Sequence, residues 1–95
     1  MLHRILVKYT SEVKDREDFA RRVLAHFKPL EAVEGIREVR VIPGLKTAAN
    51  RYDLMIEMDM DIKALPAYDA SETHRSWKRD YAAYIETKAI FDCED

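Results

Sequence analysis

Residues 68–85 read YDASETHRSWKRDYAAYI, and this stretch predicts the helix around which the rest of the chain is arranged. Ser71 suits the N-cap position, because its hydroxyl can accept a hydrogen bond from a backbone N–H of the first turn. His74, Trp77 and Tyr81 recur at helical spacing, so they share one aromatic face. The pattern therefore predicts a helix that directs a histidine and two large rings toward the interior.

His74 falls in the first turn of this predicted helix. The positive end of the helix dipole disfavours a charged imidazole there and keeps a neutral ring available as a proton acceptor. An inward histidine is also compatible with a structural role, in which it only satisfies hydrogen bonds within the core. The helix by itself leaves both interpretations of His74 open.

Composition limits the classes of function that the chain can serve. With 95 residues, 36% of them charged, and a net charge of −2, we expect one domain spanning residues 1–95 and a thin core. No arginine-rich run and no apolar run of membrane-spanning length occur, so we expect no nucleic-acid partner and no membrane segment. The single cysteine, Cys93, has no partner for a disulfide or a metal site, which favours a reducing cytoplasm. The amino end enters a strand pattern directly, so we expect no secretion signal.

The first third of the chain predicts a strand followed by a helix. Residues 2–9 alternate, and the more apolar side consists of His3, Ile5, Val7 and Tyr9. This places His3 on the helix-covered side of the sheet, together with His74. Asp15 is suited to begin a helix, and Pro29 is expected to end it near Lys28 because proline has no backbone N–H to donate. His26, near the end of this helix, is expected at the surface or at the rim of the core.

The remaining strands complete an α+β pattern. Residues 36–42 have charge on both faces, which suits an edge strand, and residues 52–60 alternate most regularly. Next come a short helix capped by Asp61, the helix capped by Ser71 and a strand at residues 87–93, before an acidic end at residues 94–95. The order is βαββαβ, typical of a ferredoxin-like, four-stranded antiparallel sheet with helices on one face.

The outer face of this sheet predicts a partner. The first and third strands place opposite charges there, namely Arg4 and Lys8 against Asp53, Glu57 and Asp59. The same face has apolar side chains at Leu2, Leu6 and Met55. We therefore expect a homodimer formed through the sheet face, with a solvated sheet face as the alternative.

Three stretches resemble the stress-responsive α/β-barrel (Dabb) family, a group of dimeric ferredoxin-like proteins. They are MLHRILVKY at residues 1–9, YDLMIE at residues 52–57 and the block at residues 67–92. The resemblance spans nearly the whole chain and implies a dimeric α/β barrel. The family signature His-Pro-x-His is only partly present, since Ser71 and Glu72 stand at its first two positions and His74 at its last.

The resemblance also implies a site. Family members that act as polyketide cyclases use a first-strand histidine, a tyrosine ahead of the signature and the second signature histidine around a cavity between sheet and helices. His3, Tyr68 and His74 stand at those positions, and the resemblance implies that they are catalytic, without metal or cofactor. Many other members have no assigned activity, and the Ser71-Glu72 pair alters the start of the helix that shapes the pocket.

The chemistry of these residue types agrees with a lyase or cyclase. A neutral His74 can remove a proton from carbon next to a carbonyl, Tyr68 can donate to the enolate oxygen, and His3 can transfer a second proton. The expected walls for an apolar, polyketide-like ligand are Ile5, Val7, Phe27, Leu54, Ile56, Trp77 and Tyr81. Two alternatives remain: a ligand-binding or stress-associated dimer without catalysis, and an enzyme resembling the antibiotic-biosynthesis monooxygenases.

Overall fold

The computed structural model describes residues 1–94 and contains four strands and three α-helices in the predicted order. The strands are β1 (Leu2–Tyr9), β2 (Ile36–Pro43), β3 (Leu54–Met60) and β4 (Ile85–Cys93). The helices are α1 (Arg16–Phe27), α2 (Leu65–Asp69) and α3 (Glu72–Asp80). Short 3-10 turns occupy Lys28–Ala32, Ile62–Ala64 and Ala82–Tyr84. Asp95, which the sequence places in the acidic end, lies outside the described residues.

The sheet confirms the predicted fold class. All neighbouring strands are antiparallel, and their order is β2-β3-β1-β4, with β1 and β3 in the centre. The strand predicted for an edge, β2, lies at an edge. One face of the sheet packs against the helices, and the core there includes Ile5, Val7, Leu54, Ile56 and Met58 of the sheet and Phe19, Val23, Phe27 and Trp77 of the helices.

Capping and proline set the helix boundaries as expected. The Asp15 carboxylate accepts a hydrogen bond from the Asp18 backbone N–H at 3.0 Å, and the Ser71 hydroxyl accepts one from that of His74 at 3.1 Å. The helix α1 ends at Phe27, and Pro29 lies two residues later, in the 3-10 turn Lys28–Ala32 that follows. The N-caps predicted at Asp15 and Ser71 are therefore confirmed. Asp61, predicted to cap the short helix, makes no capping hydrogen bond with its side chain, which accepts from Arg37 instead.

The closing helix is shorter than its pattern indicated. It ends at Asp80, and β4 begins at Ile85 rather than at residue 87. The cause lies outside the helix: Ile85 pairs with Tyr9 of β1, and the Thr10 backbone N–H donates to the Tyr84 carbonyl at 2.9 Å. Pairing with the sheet therefore ends the helix at Asp80, four residues before Tyr84.

Asp53 was predicted on the outer face of the sheet, and this prediction is wrong. Its carboxylate accepts hydrogen bonds from the Tyr9 backbone N–H at 2.9 Å and from Arg16 of α1 at 2.8 Å, with the Lys46 ammonium at 3.6 Å. Burial raises the pKa of Asp53, but the hydrogen bonds from Tyr9 and Arg16 outweigh it, and the pKa lies below its ordinary value. The side chain ties the start of β3 to β1 and α1.

We expect Asp53→Asn to lower the free energy of unfolding at pH 7 by about 3 kcal/mol, because the change leaves Arg16 and Lys46 without the buried carboxylate that they face. A lowered carboxyl pKa contributes stability above the unfolded pKa, and that stability is lost as the pH falls through the folded pKa. Urea unfolding at pH 7 and pH 3 should therefore show that the free energy of unfolding falls less on acidification (a smaller acid loss) in the variant than in the native protein. Glu17→Gln, at an exposed position, is the control, and equal acid losses in Asp53→Asn and native protein would contradict this role.

Candidate active site

A cavity of about 310 Å³ lies between the helices and one end of the sheet. Its volume is at the lower end of the range for small-molecule sites. Strands β1 and β4 supply one wall, and α2 and α3 supply the other. The lining residues are His3, Ile5, Leu65, Tyr68, Asp69, His74, Trp77, Lys88, Ile90 and Asp92.

The structure brings the three predicted catalytic residues together on this cavity. Tyr68 lies between the two histidines, with its ring centroid 5.4 Å from that of His3 and 4.7 Å from that of His74. His3 projects from the inward face of β1 and is buried. His3, which is more than 60 positions away from Tyr68 and His74 in the chain, joins them because β1 lies beneath α2 and the first turn of α3.

The hydrogen bond that His74 makes determines which ring nitrogen has the proton. Its Nδ1 lies 3.1 Å from the backbone carbonyl oxygen of Asp69. A carbonyl oxygen only accepts, so Nδ1 is the donor, and in the neutral ring Nε2 keeps its lone pair. The Ser71 cap fixes the backbone of the same residue. His74 is therefore held as a tautomer that can accept a proton at Nε2.

His3 has a carboxylate partner that the sequence interpretation did not include. Its Nδ1 lies 2.5 Å from Oδ1 of Asp92, the residue directly opposite His3 in the pairing of β1 with β4. A carboxylate at Nδ1 fixes the tautomer and stabilises positive charge that develops when the ring takes up a proton at Nε2. The available signal was the inward alternation of Lys88, Ile90 and Asp92, but the sequence alone does not fix the register between the two strands.

Tyr68 is suited to donate a proton rather than to lose one permanently. Burial, with a smaller contribution from the nearby Asp69 carboxylate, raises the pKa of Tyr68 well above its ordinary value. The Tyr68 hydroxyl makes no hydrogen bond within residues 1–94. In the same range, every fully buried side-chain nitrogen or oxygen has a hydrogen-bond partner. The hydroxyl oxygen therefore has accessible surface, and Tyr68 lines the cavity.

The seven predicted wall residues separate into two groups. Ile5 and Trp77 line the cavity. The other five are buried in the core but do not border it, namely Val7, Phe27, Leu54, Ile56 and Tyr81. The Phe27 ring packs edge-on against Trp77 with centroids 5.1 Å apart, and these rings fill the space beneath α1. The cavity therefore borders the sheet at the end of β1 near His3.

His26, expected at the surface or at the rim of the core, is partly buried and links two helices. Its Nε2 donates to the Thr73 carbonyl at 2.9 Å and lies 3.0 Å from the Ser76 hydroxyl, which connects α1 to α3. The ring also packs against Tyr81, with centroids 5.1 Å apart. His26 does not line the cavity, so it is a structural histidine beside the two that do.

Residues 1–94 contain no group of three or more His, Cys, Asp or Glu side chains placed to hold a metal ion. In the same range, no helix is long and apolar enough to cross a membrane. The polar side-chain groups of the cavity wall are two imidazoles, a phenol, an indole N–H, two carboxylates and one ammonium.

The strand order and the single helical layer define a ferredoxin-like fold with a cavity at one end of the sheet. No protein-family model and no curated protein sequence matches the chain. Solved structures do match: a dimeric protein of unknown function and ferredoxin-like fold from Bacteroides fragilis has a TM-score of 0.78 at 15% identity, over 99% of this chain and 94% of that one. A Dabb family protein with a ferredoxin-like fold from Mesorhizobium loti has a TM-score of 0.71 at 18% identity, over 99% and 94%.

A third solved structure, a hydroxynitrile lyase from Passiflora edulis, has a TM-score of 0.72 at 11% identity, over 95% of this chain and 87% of that one. At these identities the likeness shows the fold. It confirms the predicted ferredoxin-like architecture, which is shared with a Dabb family protein and with proteins described as dimeric.

Proposed function

We propose that the chain is a Dabb-type, cofactor-independent acid–base enzyme of the lyase or cyclase type, acting on a small carbonyl or polyketide-like compound. The observation that supports this proposal is the convergence of His3, Tyr68 and His74 on one open cavity. A hydroxynitrile lyase is among the solved structures with this fold, so lyase chemistry is compatible with the scaffold.

The proposed reaction moves one proton at a time between the substrate and these three side chains. Nε2 of His74 removes a proton from the carbon next to the carbonyl, and the bonding electrons move to the carbonyl oxygen. The Tyr68 hydroxyl donates a hydrogen bond to that developing enolate oxygen. His3, whose Nδ1 is oriented by Asp92, takes up a second proton from the substrate at its Nε2. Each histidine then gives its proton to the product or to water, so both end the cycle neutral.

We infer that the enzyme works as a homodimer formed through the outer face of the sheet. The strand register aligns four apolar side chains in one row across all four strands: Ala89, Leu6, Met55 and Ile42. In the next row, Glu57 pairs with Arg4 at 2.9 Å and with Arg40 at 3.3 Å, beside the exposed Phe91. A second copy stacked on this face would bury the apolar row.

A cytoplasmic location remains a prediction.

Deuterium exchange tests the catalytic proposal without knowledge of the natural substrate. The probe is 1-phenylbutane-1,3-dione in D₂O, whose exchange at the carbon between the carbonyls is followed by proton NMR. We expect the protein to exceed an equal concentration of imidazole by about 100-fold, as a positioned general base does. Binding of the probe without faster exchange would contradict the proposal and favour the ligand-binding alternative, which shares the same cavity.

A further inference from the structure

One cationic side chain in the cavity wall has no part in the proposed proton transfers. Lys88 of β4 lines the cavity together with Ile90 and Asp92, as expected for alternate residues of one strand. Within residues 1–94 the Lys88 ammonium makes no hydrogen bond and no ion pair with another side chain. This ammonium is therefore available to a ligand.

The two carboxylates of the cavity do not neutralise Lys88. Asp92 lies 2.5 Å from His3 Nδ1 and is engaged by that ring. Asp69 ends α2, on the helical wall, next to Tyr68, whereas Lys88 belongs to the sheet wall. Charge is thus distributed unequally in the cavity, with the free positive group on β4.

The position of Lys88 along β4 separates it from the reacting groups. Lys88 and Asp92 are four positions apart along β4, which corresponds to about 13 Å between their Cα atoms. The intervening inward residue, Ile90, is apolar and half exposed, at 57%. A ligand that spans this distance needs an apolar middle, such as a ring or a short chain, between its reacting carbonyl and any group that contacts Lys88.

We propose that Lys88 selects substrates with a carboxylate at the end opposite to the reacting carbonyl. The carbonyl at one end of the substrate rests on the proposed function, whereas the carboxylate at the other end is inferred from Lys88 alone. One ammonium provides a point charge with three donors, which suits a singly charged carboxylate. The compound class is therefore an aromatic or short-chain oxo acid rather than a neutral ketone.

Two probes of the same shape but different charge test the selection: 4-hydroxyphenylacetate and 4-hydroxyphenylacetamide. Each is titrated into ¹⁵N-labelled protein, and the amide resonances of the cavity residues are followed. We expect the carboxylate to bind about tenfold more tightly than the amide, as for a charge-assisted hydrogen bond. Lys88→Met, which keeps the straight apolar stem, should make the two affinities equal, and Lys88→Arg should keep most of the preference.

Lys63→Met removes an exposed cation outside the cavity wall and should leave the preference unchanged. Equal binding of the two probes to the native protein, absence of any shift at cavity residues, or a preference that survives Lys88→Met would each overturn the proposal. These titrations involve no turnover. A preference that depends on Lys88 without deuterium exchange contradicts the catalytic proposal only, and exchange without a preference contradicts only the role of Lys88.

Discussion

We expect His74→Gln to reduce the exchange of 1-phenylbutane-1,3-dione about 1,000-fold, the largest effect of any single substitution in the cavity. Glutamine can still donate to the Asp69 carbonyl, but it has no basic nitrogen to replace Nε2. Circular dichroism should show a native fold, since His74 is only partly buried. The measurement is the exchange rate at a concentration of probe that saturates the native protein.

His26→Gln is the matched control for this substitution. His26 lies on the neighbouring helix and outside the cavity wall, so its loss should affect stability and leave exchange within about twofold of native, as for a residue remote from the chemistry. Unchanged exchange in His74→Gln would remove His74 as the base.

Tyr68→Phe should lower exchange by about 100-fold, because it deletes the donor to the enolate oxygen while it keeps the ring.

Leu6→Asp should convert the proposed dimer into a monomer, with an increase in Kd of more than about 100-fold, since it places an unpaired charge inside the proposed apolar interface on both copies. Leu6 belongs to β1 and lies in the apolar row between Ala89 and Met55. Sedimentation velocity at micromolar concentration measures the change. Ala25→Asp, on the exposed side of α1, is the control and should remain dimeric. A monomeric native protein at that concentration would contradict the proposed interface.

Local patterns were sufficient for most of the fold. The alternation in residues 2–9 and 52–60 identified β1 and β3 as strands, and the side chains of Asp15 and Ser71 identified the starts of α1 and α3. These features depend on residues within a few positions of each other. The burial of Asp53 does not, because it arises from contacts with Tyr9 and Arg16 that are distant in sequence.

The candidate site shows the same division. Family resemblance and helical spacing pointed to Tyr68 and His74, which the structure places side by side. Asp92 and Lys88 reach the cavity only through the register of β4 on β1, which no local pattern fixes. Periodicity likewise identifies side chains that point inward, but it does not distinguish a cavity wall such as Ile5 from a fully packed neighbour such as Val7.

The central claim is that a small carbonyl compound enters the cavity between His3 and His74. The most direct test follows the imidazole nitrogens of all three histidines by ¹⁵N NMR during titration with 1-phenylbutane-1,3-dione. We predict that Nε2 of His3 and Nε2 of His74 shift on binding while His26, engaged between two helices, does not. Shifts confined to His26, or no shift at either cavity histidine under saturating probe, would contradict the account.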